Sequence, residues 1–361
     1  MKTVVSVAAL AFVFSCSGKK SEPAATGSGS GSAAGSGSAA VAKEEPPAKG
    51  VKAKDNDPTL VKLVTDAATC KLVDTHLDYD CDASKAWTSA NDQYKDGKGD
   101  ATLTNFLEDP NENVRFVAAE KLRDHEPKDV TLIKRDLAAA QAETSKLVGE
   151  NLGMGIGKLD VTSAGVAADA VKLLDEGKLV ELRVGIMHTG ADNPAFSDAI
   201  LKLANESTDA TLHYAAVTSF YSNMPKGKEA DVCKMWLAMV DSTDNEVAGQ
   251  AALEDGRVSA CKDNWDALMD KFDASEKAGT FKAYNSVAAL NYIHDGSTAT
   301  DAQKTRSIEL AKTIASDEKV PDSTRGRAIE FLAPNDAKFV QKFTKDKNEH
   351  ISFAAEHALK H

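Results

Sequence analysis

One pattern returns along this sequence: a polar turn followed by three anchor residues at four-residue steps. It first occurs in the segment DPNENVRFVAAEKL, where Val114, Ala118 and Leu122 follow a turn of Asp, Pro and Asn residues. Residues four apart lie on the same face of an α-helix. A small central residue lets a neighbouring helix approach closely, and the larger anchors fill the layer around it. The pattern therefore predicts helices that bury this face against further helices.

Copies of the pattern follow through the second half of the chain, and their first anchors are 35, 37, 40 and 27 residues apart from residue 212 onward. The anchors are Leu212, Ala216 and Phe220; Val247 and Ala251; Tyr284, Ala288 and Tyr292; Thr324, Ala328 and Leu332; and Ile351, Ala355 and Leu359. In the second of these copies Asp255 replaces the third anchor. A weaker copy surrounds Leu179, Arg183 and Met187. This period is typical of a helix-pair solenoid.

Strand signals are nearly absent from residues 57–361, so we predict an all-α domain there. Turn-forming clusters every 15 to 20 residues indicate about sixteen helices, arranged as roughly seven to eight antiparallel pairs. Since a single helix pair cannot bury its own apolar face, stacking of the pairs is obligatory.

The copies resemble HEAT repeats. The closest match is the first copy, with Pro110, Val114, Arg115, Ala118, Ala119 and Leu122. In that family the arginine commonly reaches acidic or backbone groups of an adjacent unit. The resemblance implies this role for Arg115, and also for Arg183 and for Arg325 or Arg327. The resemblance to HEAT repeats covers residues 58–361, but the pattern is indistinct between residues 130 and 177.

The first residues have the form of an export signal, with Lys2 before an eleven-residue apolar run from Val4 to Phe14. Eleven residues are too few to cross a bilayer. The stretch VFSC resembles the lipobox of bacterial lipoproteins, which implies that residues 1–15 are a signal peptide and that Cys16 is lipidated. Phe14 is bulkier than the residue usual at its position, so cleavage by the ordinary signal peptidase is the alternative. No aspartate follows Cys16, which favours the outer membrane facing the periplasm, with surface exposure as the alternative.

Residues 16–56 are rich in Gly, Ser, Ala and Pro, including TGSGSGSAAGSGSAA. Such a segment cannot bury enough apolar surface to offset its ordering entropy, so we predict a disordered tether. Contact with the membrane is expected through the lipid alone. The net charge of −12, from 55 acidic and 43 basic residues, argues against nucleic acid or an anionic bilayer as partner. An acidic surface favours a basic protein partner.

Four cysteines remain after Cys16, an even number in a chain expected to reach an oxidising compartment. Three pairings are possible. Sequence proximity favours Cys70 with Cys81 and Cys233 with Cys261, at separations natural for neighbouring antiparallel helices. A redox pair or a metal site is disfavoured, because there is no Cys-x-x-Cys and no matching histidine spacing.

Three further motifs invite a chemical interpretation. Asp78, Asp80 and Asp82 resemble the start of a calcium loop, but the expected glycine and glutamate are missing, so a solvated acidic turn is favoured. The segment GMGIG, residues 153–157, lacks the strand and the Gly-Lys-Ser of a phosphate loop, so we predict a flexible turn or hinge between helices. His357 and His361 could share a metal on one helix face, but exposed side chains at the end of the array are favoured.

No catalytic motif is present in the sequence, so we expect neither an enzyme nor a cofactor. The favoured function is a membrane-anchored, periplasmic, non-catalytic scaffold that binds another protein through its helical-repeat surface. Two alternatives stay open. One is a cation- or small-ligand-binding protein or enzyme with a site between repeats, and the other is a purely structural envelope protein.

Overall fold

The computed structural model describes residues 56–73, 75–94, 97–280 and 284–360, and these residues form eighteen α-helices and one small β-ribbon. The helices are α1 (Pro58–Ala67), α2 (Asp82–Ser89), α3 (Asp100–Phe106), α4 (Glu112–Asp124), α5 (Val130–Ala142), α6 (Lys146–Lys158), α7 (Ala167–Glu176), α8 (Val180–Gly190), α9 (Ser197–Glu206), α10 (Ala210–Ser222), α11 (Glu229–Met239), α12 (Asn245–Arg257), α13 (Trp265–Lys277), α14 (Tyr284–Asp295), α15 (Asp301–Ser316), α16 (Asp322–Leu332), α17 (Ala337–Val340) and α18 (Glu349–Ala358). Strands β1 (Leu72–Val73) and β2 (His76–Leu77) pair antiparallel. The all-α prediction is confirmed, with two helices more than expected. The predicted signal peptide and nearly all of the predicted tether lie outside the described residues.

From α3 onward the helices alternate between two layers. The even-numbered helices from α4 to α18 pack on one another in chain order, and we call them the second-helix layer. The odd-numbered helices from α3 to α11 pack on one another in the same way, and α13 packs on α15. Each odd-numbered helix from α3 to α15 also contacts the even-numbered helix that follows it. The domain is therefore the stack of helix pairs that the repeat period predicts. In the described part of the chain, no helix combines the length and the apolar character needed to span a bilayer.

The polar turn of the repeated pattern is the N-cap of a second helix. The capping residues Asn111, Ser145, Asp209, Asp244 and Asn348 precede α4, α6, α10, α12 and α18. In each case the side-chain oxygen accepts a hydrogen bond from a backbone N–H of the first turn. Those N–H groups have no partner inside the helix, so each cap stabilises its helix by about 1 kcal/mol.

The predicted anchors lie between the helices. Those that are buried are Val114, Ala118, Leu122, Met187, Leu212, Ala216, Phe220, Val247, Ala251, Ala288, Thr324, Ala328, Leu332, Ile351 and Ala355. Leu359 is half-buried just after the end of α18. Tyr292 is instead 46% exposed. The aspartate that replaces an anchor, Asp255, is fully buried.

Three arginines of the second helices bind backbone carbonyls that precede their own helix. Arg115 Nη1 donates to Asp109 O at 3.0 Å, Arg183 Nε to Leu174 O at 2.7 Å, and Arg325 Nε to Ala315 O at 3.1 Å. Each bond satisfies a carbonyl that the preceding helix or turn leaves without an internal partner.

Arg115 also connects two successive helix pairs. Its Nε and Nη2 donate to the two carboxylate oxygens of Glu143 at 2.9 and 3.0 Å, in the turn between α5 and α6. Burial raises the pKa of Glu143, but hydrogen bonds from Arg115 and from the backbone of Ser145 and Thr144 lower it below its usual value overall. Such a bidentate pair fixes the relative position of the two units.

The prediction of a turn or hinge at residues 153–157 is wrong, because this segment lies inside α6. Gly149, Gly153 and Gly157 lie on the side of α6 that faces α8. A Cβ atom on Gly157 would come 2.7 Å from Ile186 O, and one on Gly185 of α8 would come 2.8 Å from Met154 N. The glycines therefore let two helix backbones pack in direct contact, which a methyl group would prevent.

Both disulfides are those that sequence proximity favours, but neither joins two antiparallel helices. Cys70–Cys81 closes the loop that carries the β-ribbon, and Cys81 directly precedes α2. Cys233 of α11 is bonded to Cys261 in the 3-10 turn Ser259–Asn264, which follows α12. Each bond thus fixes an irregular connection against the helical stack.

Candidate functional site

Exposed aromatic side chains concentrate on the second-helix layer. Tyr214 and Tyr221 of α10, Tyr292 of α14 and Phe353 of α18 are 36, 46, 46 and 69% exposed. The other large apolar side chains that are exposed among the described residues are Val73, Tyr79 and Val130. These side chains come from α10, α14 and α18, and we take the second-helix layer as the candidate interaction surface.

Helix geometry explains why both tyrosines of α10 reach the surface. Tyr214 and Tyr221 are seven residues apart, which is close to two helical turns, so they lie on one side of α10. The anchors Leu212, Ala216 and Phe220 occupy another side of the same helix and are buried. The sequence could have revealed this surface, because the tyrosines keep their own seven-residue spacing beside the anchors.

A chain of contacts runs from α10 across α12 to α14, and we call it the Tyr221–Asn285 chain. The guanidinium carbon of Arg257 lies 3.1 Å from the centroid of the Tyr221 ring. Arg257 Nε donates to one carboxylate oxygen of Glu254, and Gln250 Nε2 donates to the other. Asn285 Nδ2 donates to Gln250 Oε1 at 3.2 Å. Side chains from three successive second helices are thus held in one arrangement.

Charge and burial are coupled in this chain. Glu254 is only 1% exposed, and burial raises its pKa, although Arg257 and Gln250 act in the opposite direction. Burial also raises the pKa of Tyr214, and the nearby Glu246 and Glu254 raise it further. Tyr214 therefore stays a neutral phenol that can donate a hydrogen bond. The surface combines aromatic rings with the guanidinium group of Arg257, and both kinds of group are enriched at protein interfaces.

Near the first disulfide, Asp78 and Asp80 form a turn, and Asp82 begins the next helix. Asp78 Oδ1 accepts a hydrogen bond from Asp80 N at 2.9 Å. Asp82 is the first residue of α2 and lies 3.7 Å from Lys85 Nζ. The residues that would continue a calcium loop are part of α2, so the backbone does not wrap around a central point.

The two C-terminal histidines are placed only in part. His357 is exposed in the last turn of α18, where its ring stacks on Phe353 with centroids 5.9 Å apart. His361 lies outside the described residues. Among the described residues one group of three potential ligands converges, and it consists of Cys233, Asp255 and Cys261.

A buried group of titratable side chains lies between α3, α4 and α5. His125 Nδ1 is 2.6 Å from Asp100 Oδ1, and His125 Nε2 has no hydrogen-bond partner among the residues that the structure describes. Thr104 Oγ1 donates to Asp136 Oδ1 at 2.8 Å. Burial raises the pKa of Asp136 to about 7, and the neighbouring Asp100 contributes to the rise. The periodic pattern of apolar anchors gives no signal for this polar cluster.

A cavity of about 580 Å³ lies where the connection between α11 and α12 meets α13 and α14. Its lining includes Ser242, Thr243 and Ser275, together with the ion pair of Lys271 and Asp241. Because these two charges neutralise each other, the ion pair contributes no net charge that would attract an ionic ligand to the cavity.

Comparison with known proteins does not assign the chain to a family. No family model matches the sequence, and no curated protein matches it. One solved structure with which it aligns is a designed armadillo repeat protein in complex with the peptide (KR)4. The sequences are 16% identical, the alignment covers 72% of this chain and 97% of that chain, and the TM-score is 0.27. At that TM-score the alignment carries no argument about fold or function, and the fold is described from the helix packing alone.

Proposed function

We propose that this protein is an exported, lipid-anchored scaffold that binds a segment of another protein on its second-helix layer and catalyses no reaction. The observation that carries the proposal is the Tyr221–Asn285 chain, together with the exposed aromatic residues of the same layer. Tyrosine and arginine, like tryptophan, are enriched among the residues that contribute most of the binding energy at protein interfaces. Stacked second helices repeat such positions along the layer.

The fixed arrangement of these side chains favours binding. Arg257 is held by Glu254 and by the Tyr221 ring before any partner arrives. Side chains that are already ordered lose little conformational entropy on association, so more of the contact energy appears as affinity.

The charge of the chain indicates a basic partner segment. The net charge is −12, and the exposed Glu246 lies close to Tyr214. Complementary charge raises the rate of association and is screened by salt. Binding should therefore weaken as the ionic strength rises.

The proposed location is the outer membrane, facing the periplasm, with Cys16 carrying the lipid. The two disulfides support export, because disulfides persist mainly in oxidising compartments. Labelling of growing cells with a fatty acid tests this location. The wild-type chain should incorporate the label, and Cys16→Ser should abolish both the label and the membrane association.

We also propose that the helix pairs are HEAT-like units. The capped turn before each of several second helices supports this assignment, as do the carbonyl-binding arginines Arg115, Arg183 and Arg325. The unit boundaries then fall in the turns that precede the odd-numbered helices.

The binding proposal is tested by chemical cross-linking in intact cells, followed by mass spectrometry. The wild type is compared with Tyr221→Ala/Arg257→Ala and with Tyr79→Ala as the matched control. Tyr79 is 68% exposed and lies outside the second-helix layer. We expect the double variant to lose a stoichiometric partner that the control retains. A partner held equally by all three proteins would refute the assignment of the surface, and no partner in any of them would favour the structural or small-ligand alternatives.

A further inference from the structure

Exposed lysines lie close together on the first helix of the last pair. The short helix α17 continues into the 3-10 turn Gln341–Phe343, and residues 337–347 carry four lysines and one aspartate. All four lysines are exposed, and one of them, Lys347, is paired with Glu318 at 3.1 Å. We call the other three, Lys338, Lys342 and Lys345, the basic patch. It is a local excess of positive charge on a chain whose net charge is −12.

The charge of the basic patch is not neutralised within the part of the chain that the structure describes. No ion pair joins a lysine of the patch to another described residue. The two aspartates beside it have other partners: Asp336 Oδ2 lies 3.0 Å from Lys312 Nζ, and Asp346 Oδ2 lies 3.8 Å from Arg325 Nη2. The patch therefore presents cations to an external group.

Helix geometry and an aromatic ring order two of these lysines. Lys338 and Lys342 are four residues apart, so they lie on one side of the helical segment. The ammonium group of Lys342 lies 4.9 Å from the centroid of the Phe339 ring. Phe339 is half-buried and packs edge to face on Phe343, with centroids 5.4 Å apart. This cation–π contact restrains the ammonium group without cancelling its charge.

An open cavity of about 500 Å³ lies between the basic patch and the end of the last helix pair. Its lining consists of Ala337, Lys338, Gln341, Lys342 and Leu359. Two apolar side chains thus lie beside two cationic ones, and one amide can fix the orientation of a bound group. This combination suits a ligand that carries an anionic group next to an apolar one.

We propose that the basic patch and this cavity bind the headgroup of an anionic phospholipid at the membrane surface. The phosphate would lie between Lys338 and Lys342, and the glycerol and first methylene groups would lie against Leu359. The choice of a phospholipid rests on the proposed lipid anchor, because a lipid on Cys16 keeps the domain beside a bilayer at a high effective concentration. An acidic segment of a protein has the same charge but no such proximity.

The net charge of the chain does not prevent this contact. Exposed charges separated by more than about 8 Å are largely screened at physiological ionic strength, so a bilayer responds to the local patch and not to the whole chain. Each lysine that reaches an anionic surface strengthens binding about fivefold, so three lysines contribute about a hundredfold. Binding of this strength is weak for a free protein but effective for one that is already anchored.

The patch would add a second point of attachment to the bilayer. A lipid at the N-terminus and a basic patch on α17 act together, as two weak membrane signals do in other anchored proteins. Since α17 is not part of the second-helix layer, contact with the bilayer and binding of a protein partner use different side chains. The membrane contact expected through the lipid alone is thereby extended to the folded domain.

The experiment is flotation of the protein with phospholipid vesicles. The chain from residue 16 onward carries Cys16→Ser, so that no lipid of its own contributes to binding. Vesicles of phosphatidylcholine that contain a third of phosphatidylglycerol are compared with vesicles of phosphatidylcholine alone. We expect the anionic vesicles to bind the protein about a hundredfold more strongly, and added salt to remove the difference.

Two variants that each lose three positive charges locate the binding. The patch variant carries Lys338→Gln, Lys342→Gln and Lys345→Gln. The control variant replaces one exposed lysine on each of the first helices α5, α7 and α9, with Lys134→Gln, Lys172→Gln and Lys202→Gln. We expect the patch variant to lose the preference for anionic vesicles and the control variant to retain it. Circular dichroism checks that both variants are folded.

Hydrogen exchange on the vesicle-bound protein should show protection of residues 337–347. Equal binding of the wild type to both kinds of vesicle, or an equal loss in the two variants, would overturn the proposal. Binding of labelled poly-L-glutamate without binding of anionic vesicles would assign the patch to an acidic protein segment and would also overturn it. Because Cys16 is replaced throughout, these results do not depend on lipidation, which the fatty-acid labelling tests separately.

Discussion

The close packing of α6 on α8 leads to a prediction that distinguishes a packed helix from the hinge that the sequence suggests at residues 153–157. A methyl group added at Gly153 would lie 3.0 Å from both Ile186 N and Leu182 C, and closer still to Leu182 O. These are backbone atoms of α8, so the clash cannot be relieved by rotating a side chain. The two helices would have to separate, and we expect Gly153→Ala to destabilise the protein.

The magnitude follows from two opposing terms. Overpacking a close contact costs about 1–3 kcal/mol, and the high end applies here because the atoms in contact belong to the backbone. Alanine in place of glycine inside a helix contributes about 1 kcal/mol in the opposite direction. The net loss is therefore about 1–2 kcal/mol of unfolding free energy.

Gly155 of the same helix provides a matched control. A methyl group there would meet its nearest neighbours, Arg123 Cα and Leu122 O, at 3.4 and 3.5 Å, which is ordinary van der Waals contact. Gly155→Ala should therefore keep the gain in helix propensity and stabilise the protein by up to about 1 kcal/mol.

Urea unfolding of the full chain, monitored by circular dichroism, measures both variants. Hydrogen exchange of α6 and α8 locates the effect if the repeats do not unfold in a single transition. A flexible turn at these residues would let both substitutions stabilise. Gly153→Ala as stable as the wild type, or Gly155→Ala as unstable as Gly153→Ala, would refute the packing argument.

Two further predictions concern buried charge. Removing Arg115 leaves the carboxylate of Glu143, whose side chain is 4% exposed, without its bidentate partner. Arg115→Ala should therefore lower the free energy of unfolding in urea by about 2–3 kcal/mol. The control Lys202→Ala, which removes an exposed ion pair, should change it by under about 0.5 kcal/mol. Equal effects of the two would contradict the connecting role of Arg115. The pKa of Asp136 is about 7 in the fold, against an ordinary value of 3.8, so the folded state favours the neutral carboxyl. The contribution of this group to the free energy of unfolding is complete below about pH 4 and is lost as the pH rises through 7. Asp136→Asn should therefore reduce the loss of stability between pH 5 and pH 8, and an unchanged pH profile would show that this carboxyl is ionised in the fold throughout.

Much of the architecture could be predicted from the sequence, because the signal for it is local and repeated. Val114, Ala118 and Leu122 define one face of a helix within nine residues, and the turn before them ends in the N-cap of that helix. The period of the copies then implies stacking, since no single pair can bury that face.

The repeat pattern is hard to recognise between residues 130 and 177 for a physical reason. Its second helix, α6, packs through Gly149, Gly153 and Gly157, which have the spacing of the anchors Val114, Ala118 and Leu122 and follow them by 35 residues. Glycine is usually a turn signal, so the segment suggested a hinge. Only the backbone of α8 at contact distance shows that the glycines serve packing.

The candidate surface could not be predicted from the sequence in the same way. The seven-residue spacing of Tyr214 and Tyr221 is visible, but the stacking of Arg257 on Tyr221 depends on the register between α10 and α12. That register is a property of the stack and not of either helix. Likewise, Asp255 was visible as a missing anchor, whereas its position beside Cys233 and Cys261 required the fold.

Site-specific photo-cross-linking in living cells tests whether the second-helix layer is the surface that binds a partner. A photoreactive amino acid is placed at Tyr221, Tyr292 or Phe353 of the second-helix layer, and at Tyr79 or Val130 as exposed positions outside it. We expect the same partner to be captured from the three layer positions and not from the two others. Capture that is equal at all five positions, or confined to the two outside the layer, would contradict it.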